Sequence, residues 1–280
     1  MSYKTILVSL NDINRVEEIA GLACLVAGRF AAQVIGVIVT PKVAAYAMPG
    51  AYVTSQVTEA LEAGYRQQEE KARASFEAHL AREGLSGDFR HIKSDSTDIA
   101  SVVVDQGRQA DLVVVGQHQP EGTPGIEPNF VSTVVMELGR PVLVVPYAGH
   151  FTSIGERAVV GWNASQEASR AVFDALPLLK DATQVWLAWA DPQAEPDRAG
   201  QLPGSEIAAT LARHGVKATT YSTPSGDISA GDAILNYAAD CDADLAVIGA
   251  YGHSRLREYV FGGVTSTFLD HMTMPVLMSH

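Results

Sequence analysis

The chain has 280 residues, of which 47% are hydrophobic and 19% charged, and this composition excludes an intrinsically disordered protein. Its formal net charge of −12 repels phosphate backbones and anionic lipids, so we expect no general binding to nucleic acids or membranes. The length suits two domains of roughly 140 residues, each large enough to bury its own core.

The N-terminal residues lead directly into a strand-like run and do not form a signal peptide. No stretch reaches the ~18 apolar residues of a membrane span. The two cysteines, Cys24 and Cys241, lie in predicted helices of different halves, which favours free thiols over a disulfide. These features predict a soluble cytoplasmic protein.

Apolar runs alternate with segments of helical periodicity along the whole chain. A helix is predicted over 15–30 after the first run, and a long polar helix over 59–83 follows the second run. In the second part of the chain the corresponding first helix is predicted over 166–180. The strands are expected near 4–10, 34–39, 88–93, 112–116 and 142–146, and then near 157–162, 184–190, 216–222, 245–249 and 275–279.

The second part of the chain repeats the first. Residues 110–116 (ADLVVVG) match residues 243–249 (ADLAVIG), and the apolar runs that begin at Pro141 and Pro275 occupy the same place in the order. We therefore predict two domains, 1–147 and 155–280, with the boundary in the short stretch between them.

The predicted strands are continuously apolar, which is typical of parallel strands covered by helices on both faces. Right-handed crossovers then give an α/β fold of two doubly wound five-stranded parallel sheets. We expect the last strands, 142–145 and 276–278, to pair the halves as a pseudo-dimer, because this pairing hides two sheet edges. Formation of a homodimer by whole chains is compatible with the sequence but not specified by it.

Ligands of open parallel sheets bind where the strands end, next to the switch in strand order. In the second domain Gly249 and Gly252 follow the fourth strand, where glycine lets the chain turn and lets backbone approach a ligand closely. Gly262 and Gly263 precede a helix predicted to begin near Val264. The bare N–H groups and the dipole of that helix predict an anion site.

The spacing of these glycines, G-x2-G-x9-G followed by a small residue, resembles the nucleotide signature of the universal stress protein family. Segments 160–172 and 253–258 are also similar to that family, and the tandem layout covers nearly all of the chain. The resemblance implies a five-stranded α/β fold of the adenine nucleotide alpha hydrolase-like type, paired through its last strands. It also implies a stress-response protein whose second domain binds ATP or ADP, with or without Mg²⁺.

The resemblance also implies which residues form the site. Asn163 stands where ATP-binding members usually have Asp, so an uncharged amide would contact the adenosine. Gly263 stands where the family normally has Ser or Thr, which removes one hydroxyl donor. His253 and Arg255 could neutralise phosphate charge, and the Thr265 hydroxyl could cap the helix or reach a phosphate. The complete predicted site is Trp162, Asn163, Ala164, Ala188, Gly249, Tyr251, Gly252, His253, Arg255, Gly262, Gly263, Val264 and Thr265.

The first domain departs from this pattern. It keeps Gly116, but Gln119 replaces the second glycine, and Pro128 in the following segment has no N–H to offer. Glu121 and Glu127 would repel phosphate. We therefore predict that the first domain is a structural partner without a nucleotide.

Three functional hypotheses follow from these residues. The first is a regulatory nucleotide-binding protein with at most slow hydrolysis, since the G-x-x-x-x-G-K-[ST] loop and its lysine are absent. The second is a nucleotide-free scaffold or interaction protein, which the residues at 163 and 263 favour. The third is an adenylate-forming or ATP-cleaving enzyme, which the lack of evident acid/base groups disfavours.

The tryptophans and histidines of the chain bear on the chemistry of the site. Trp162 and Trp189 end adjacent predicted strands, where they could wall an adenine pocket or belong to the core. The eight histidines are dispersed, so we predict no metal site, and no arrangement of residues predicts a catalytic group.

Overall fold

A computed structural model describes residues 2–42, 55–119, 121, 126–190, 204–223, 226–252 and 263–280. The first half contains β1 (Thr5–Ser9), α1 (Val16–Phe30), β2 (Gln33–Thr40), α2 (Ser55–Glu83), β3 (Gly87–Lys93), α3 (Ile99–Gly107), β4 (Leu112–Gly116), α4 (Phe130–Leu138) and β5 (Val142–Val145). The second half contains β6 (Arg157–Gly161), α5 (Gln166–Asp174), α6 (Leu176–Leu179), β7 (Gln184–Ala190), α7 (Ser205–Arg213), β8 (Ala218–Thr223), α8 (Ala230–Asp240), β9 (Leu245–Gly249), α9 (Val264–His271) and β10 (Val276–Ser279).

The ten strands form one sheet in the order β3-β2-β1-β4-β5-β10-β9-β6-β7-β8. All pairs within each half are parallel, and the halves meet where β5 pairs with β10 in antiparallel register, with Leu143 opposite Leu277. The predicted α/β class and the pairing of the last strands are therefore confirmed. The two predicted sheets are continuous across this junction.

The central strands are buried on both faces, which explains why they read as continuous apolar runs, whereas the edge strands β3 and β8 are more exposed and more polar. Neighbouring residues of β1 point to opposite faces. Ile6 packs in a layer with α1, α2 and the second-half helices α5 to α7, whereas Leu7 packs in a layer with α3, α4, α8 and α9. Each layer therefore extends across both halves.

Two helices differ from the sequence prediction for physical reasons. The helix predicted over 166–180 divides at Ala175, because Pro177 has no N–H to continue the hydrogen bonding of α5. The polar helix α2 is not solvated on all sides, since Ala72, Phe76 and Leu80 recur at helical spacing and are buried against the sheet.

Candidate functional site

The candidate site lies at the carboxyl ends of β6 and β9, which are adjacent parallel strands with Val160 opposite Val247. The N–H of Trp162 donates to the Ala188 carbonyl of β7 at 2.9 Å, so the chain leaving β6 stays beside β7. This strand arrangement brings together at one sheet edge the predicted residues Trp162, Asn163, Ala164, Ala188, Gly249, Tyr251 and Gly252.

The turn after β6 is organised by two short polar side chains. The exposed Asn163 accepts a hydrogen bond at its Oδ1 from the Ser165 N–H at 3.1 Å, while Ala164 takes a left-handed conformation with φ 59°. Ser165 caps α5 by accepting from the Ala168 N–H at 3.1 Å. Within the described part of the chain, the Asn163 NH₂ group has no hydrogen-bond partner, so it can form a further hydrogen bond.

Gly249, the last residue of β9, allows α5 to pack directly on the strand end. A Cβ at Gly249 would lie 2.3 Å from the Ala168 nitrogen and 2.4 Å from the Glu167 carbonyl carbon. A Cβ at Gly252 would lie 2.7 Å from the Glu167 Oε2. Neither glycine has a positive φ, and the left-handed residue of this turn is Tyr251, with φ 58°. The turn therefore does not use a left-handed glycine as expected, and the contact that requires a glycine is that of Gly249 with α5. Close approach of this backbone to a ligand stays a prediction.

Helix α9 begins beside this loop without a side-chain cap. Its N-cap residue, Gly263, has φ −66° and ψ 160° and can supply no capping oxygen. The first N–H groups of α9 therefore have no side-chain acceptor among the described residues, as an anion site requires. His253, Arg255 and Gly262 of the predicted site lie outside the described residues.

The Thr265 side chain holds the start of α9 against the loop after β9. Thr265 is buried, and its Oγ1 accepts a hydrogen bond from the Tyr251 N–H at 3.1 Å. The sequence suggested helix capping or phosphate contact for this hydroxyl. In the structure its oxygen instead accepts the hydrogen bond that joins α9 to the loop after β9. Val264, the first residue of the helix, is half-buried.

The two tryptophans take different places. Trp162 is half-buried and packs against the apolar layer of α5 and α7. Trp189, on β7, is half-buried as well. The packing of Trp162 is that of a core aromatic whose remaining surface lies next to the candidate site.

Two kinds of feature are absent from the described ranges. They contain no cluster of three or more His, Cys, Asp or Glu side chains that could hold a metal ion. They also contain no helix that combines the length and apolar character needed to cross a bilayer.

Comparison with known proteins identifies the family. The model of the universal stress protein family matches residues 2–146 and again residues 156–280. The chain belongs to the universal stress protein family. As a tandem member, it carries one such domain in each half.

Three relatives illustrate the breadth of the similarity. A universal stress protein structure from Archaeoglobus fulgidus DSM 4304 shares the fold with a TM-score of 0.69 and 13% identity, over 98% of this chain and 95% of that one. A single-domain universal stress protein solved in complex with cAMP is 17% identical over 53% of this chain and all of its own, with a TM-score of 0.35. Universal stress protein Slr1230 from Synechocystis sp. is 44% identical over 48 residues, which are 17% of each chain.

In the first universal stress protein domain a buried arginine covers the carboxyl ends of β4 and β5. Counted along the chain from the paired strand residues Val8 and Val160, Arg15 corresponds to Glu167, and only 7% of Arg15 is exposed. Its Nη1 lies 3.5 Å from the Asp12 carboxylate and donates to the Gln117 carbonyl at 3.2 Å. Its Nη2 donates to the Val145 carbonyl at 3.2 Å and also to the Pro146 carbonyl.

Sequence reasoning did not identify this arginine. The prediction that the first domain binds no nucleotide was based on the residues after β4, whereas Arg15 and Asp12 lie after β1 and approach Gly116. Burial raises the pKa of the Asp12 carboxyl, and the charge of Arg15 opposes this shift. An alignment of the two halves could have pointed to Arg15, because it gives the first half a cation at the position that corresponds to Glu167.

Proposed function

We propose that this universal stress protein binds one adenine nucleotide in its C-terminal half and that binding regulates its conformation or contacts in the stress response. The observation that carries the proposal is the uncapped start of α9 beside the ends of β6 and β9. There, backbone donors without a side-chain acceptor among the described residues adjoin the glycine at the end of β9.

The adenosine part of the ligand is assigned to the turn after β6. The Asn163 NH₂ group has no partner among the described residues and can donate to a ribose hydroxyl or an adenine nitrogen. Ala188 on the neighbouring strand is small and buried, so no bulky side chain projects from β7 at this position. The half-buried Trp162 supplies an apolar surface at the same place.

The phosphates are assigned to the N–H groups that begin α9. Backbone N–H groups and the helix dipole attract anions in the absence of a charged side chain. The carboxylate of Glu167, which lies next to Gly252, opposes them. Mg²⁺ carried by the phosphates would offset this repulsion, so we expect tighter binding of nucleotide with Mg²⁺ than without it.

The described site residues favour binding over catalysis. They include one carboxylate, Glu167, and no Lys or Arg. Phosphoryl transfer depends on cations placed against the developing charge of the transferred group. We therefore assign the site a regulatory role with at most slow hydrolysis.

The test removes one N–H donor without changing the helix. Val264 is the first residue of α9, where proline is tolerated, and Gly263 before it already has the extended backbone that precedes proline. Val264→Pro should weaken ADP and ATP binding about tenfold in calorimetric titrations, because a hydrogen bond to a charged group is lost. Val264→Ala keeps the N–H and should bind like the wild type.

Adenosine provides the internal control, since it has no phosphate to lose contact with α9. Its affinity should be the same in Val264→Pro and Val264→Ala. The proposal fails if the wild type binds no adenine nucleotide, or if Val264→Pro binds ADP as tightly as Val264→Ala does.

A nucleotide-free interaction protein is the second candidate. It is favoured by the Glu167 carboxylate beside Gly252 and by the use of the Asn163 Oδ1 within its own turn. Mass spectrometry of the denatured purified protein discriminates the two. Co-purified ATP or ADP would support nucleotide binding.

A further inference from the structure

Gln117 links the two halves through a buried side chain. It follows β4 in the N-terminal half, and 1% of it is exposed. Its Nε2 donates to the Leu269 carbonyl of α9 at 2.6 Å, across 152 positions of sequence. Its Oε1 accepts from the Tyr147 N–H at 2.8 Å. Both ends of the carboxamide are therefore occupied.

The bond to Leu269 satisfies a carbonyl that α9 itself leaves without a partner. The last backbone bond of the helix runs from the Met272 N–H to the Phe268 carbonyl, and Met272 then takes an extended conformation. Leu269 is the next residue, so its carbonyl is one of the orphan groups at the end of the helix. Gln117 thus caps the carboxyl end of α9 from the other half of the chain.

The backbone of Gln117 is fixed as firmly as its side chain. Its N–H donates to the Val145 carbonyl at 2.8 Å, and its own carbonyl accepts from Arg15 at 3.2 Å. Arg15, which covers the ends of β4 and β5, therefore also holds Gln117, the residue that reaches α9. Because α9 has eight residues and spans only about 12 Å, fixing its carboxyl end also restrains its start.

The contact in the opposite direction uses a different residue, since Arg170 of α5 donates from its Nη2 to the Gly139 carbonyl at the end of α4 at 2.6 Å. Ala250 occupies the position of Gln117 in the second half, with its N–H donating to the Ser279 carbonyl at 2.9 Å. A methyl group cannot cap a helix. The helix that it would serve, α4, ends instead in Gly139 with a left-handed φ of 69°. The buried carboxamide cap is thus a feature of α9, whereas α4 receives its contact from the exposed Arg170.

We infer that Gln117 is a positioning residue for the nucleotide site of the C-terminal half, and this inference rests on the function proposed above. The N-terminal half holds the phosphate-binding helix of its partner half in the orientation that the ligand requires. Both halves of the chain are then needed for one site.

The test compares Gln117→Met with the wild type in the full chain. Methionine keeps the length and packing of the side chain and loses both hydrogen bonds. The dissociation constant for ADP should rise about tenfold, whereas that for adenosine should not change, because only the phosphates contact α9. Gln119→Met, two residues further along the same loop, is the matched control and should bind ADP normally.

Hydrogen exchange without nucleotide adds a readout that does not depend on binding. The amides of α9 should exchange faster in Gln117→Met than in Gln119→Met. Unchanged ADP affinity in Gln117→Met would overturn the inference while leaving the proposed function intact, and so would an equal loss for ADP and adenosine. Failure of the wild type to bind ADP would overturn the proposed function and the inference with it.

Discussion

Replacing Gly249 with alanine tests how closely α5 packs on the end of β9. The added Cβ would lie 2.3 Å from the Ala168 nitrogen and 2.4 Å from the Glu167 carbonyl carbon. These are backbone atoms at the start of a helix, so no side chain can rotate away. Ordinary contact of about 3.5 Å requires the first turn of α5 to retreat by roughly 1 Å.

The cost of that retreat follows from the packing of α5. Ala168 and Val172 on this helix are buried, so moving the helix disturbs close-packed apolar contacts. Overpacking a core costs about 1–3 kcal/mol, and a clash with backbone belongs at the upper end. For Gly249→Ala we therefore expect a loss of about 2–3 kcal/mol in the free energy of unfolding, and a fall in the melting temperature of about 5–10 °C.

Urea unfolding followed by circular dichroism measures this loss, with Gly28→Ala as the matched control. Gly28 is exposed on α1, and a Cβ there would meet no atom within 4 Å. Alanine at that position should stabilise the protein by about 0.5–1 kcal/mol through its helix propensity. If Gly249→Ala were within about 0.5 kcal/mol of the wild type, the close approach of α5 and the reasoning based on it would be refuted.

Loss of nucleotide binding in a Gly249 variant would have two explanations. A Gly249 variant that no longer binds nucleotide could have lost the packing of α5 without any direct contact to the ligand. Val264→Pro is the cleaner probe of the site, because it removes a donor and leaves the helix in place.

Two further predictions concern buried groups. Iodoacetamide at pH 8 should modify Cys241 but not Cys24 in the native protein, because burial excludes the reagent from Cys24 and raises the pKa of its thiol to about 12. Peptide mass spectrometry measures the labelling of each cysteine, and equal labelling of both would contradict the prediction. Arg15→Met leaves the buried Asp12 carboxylate unpaired and should cost about 3–5 kcal/mol in urea unfolding. The double variant with Asp12→Leu has no unpaired charge and should recover a large part of that loss, so equal losses in the single and double variants would show that the ion pair is not the cause.

The sequence by itself determined the elements and their order. Continuous apolar runs such as β4 and β9 predict parallel strands buried on both faces, and the repeat of 110–116 at 243–249 predicts two equivalent halves. The apolar last strands, β5 and β10, led to the expected pairing of the halves. These signals are local, since each depends on residues that follow one another in the chain.

Only the tertiary structure decided what several site residues contact. Gly249 meets α5, Thr265 ties α9 to Tyr251, and Gln117 reaches Leu269 across 152 positions. The hydrophobic periodicity of the sequence does not predict such contacts, because they depend on how strands and helices pack and not on spacing along the chain. Arg15 shows the same limit, since a charged residue near the start of a helix is normally solvated, and here the neighbouring strand ends provide the carbonyls that let it be buried.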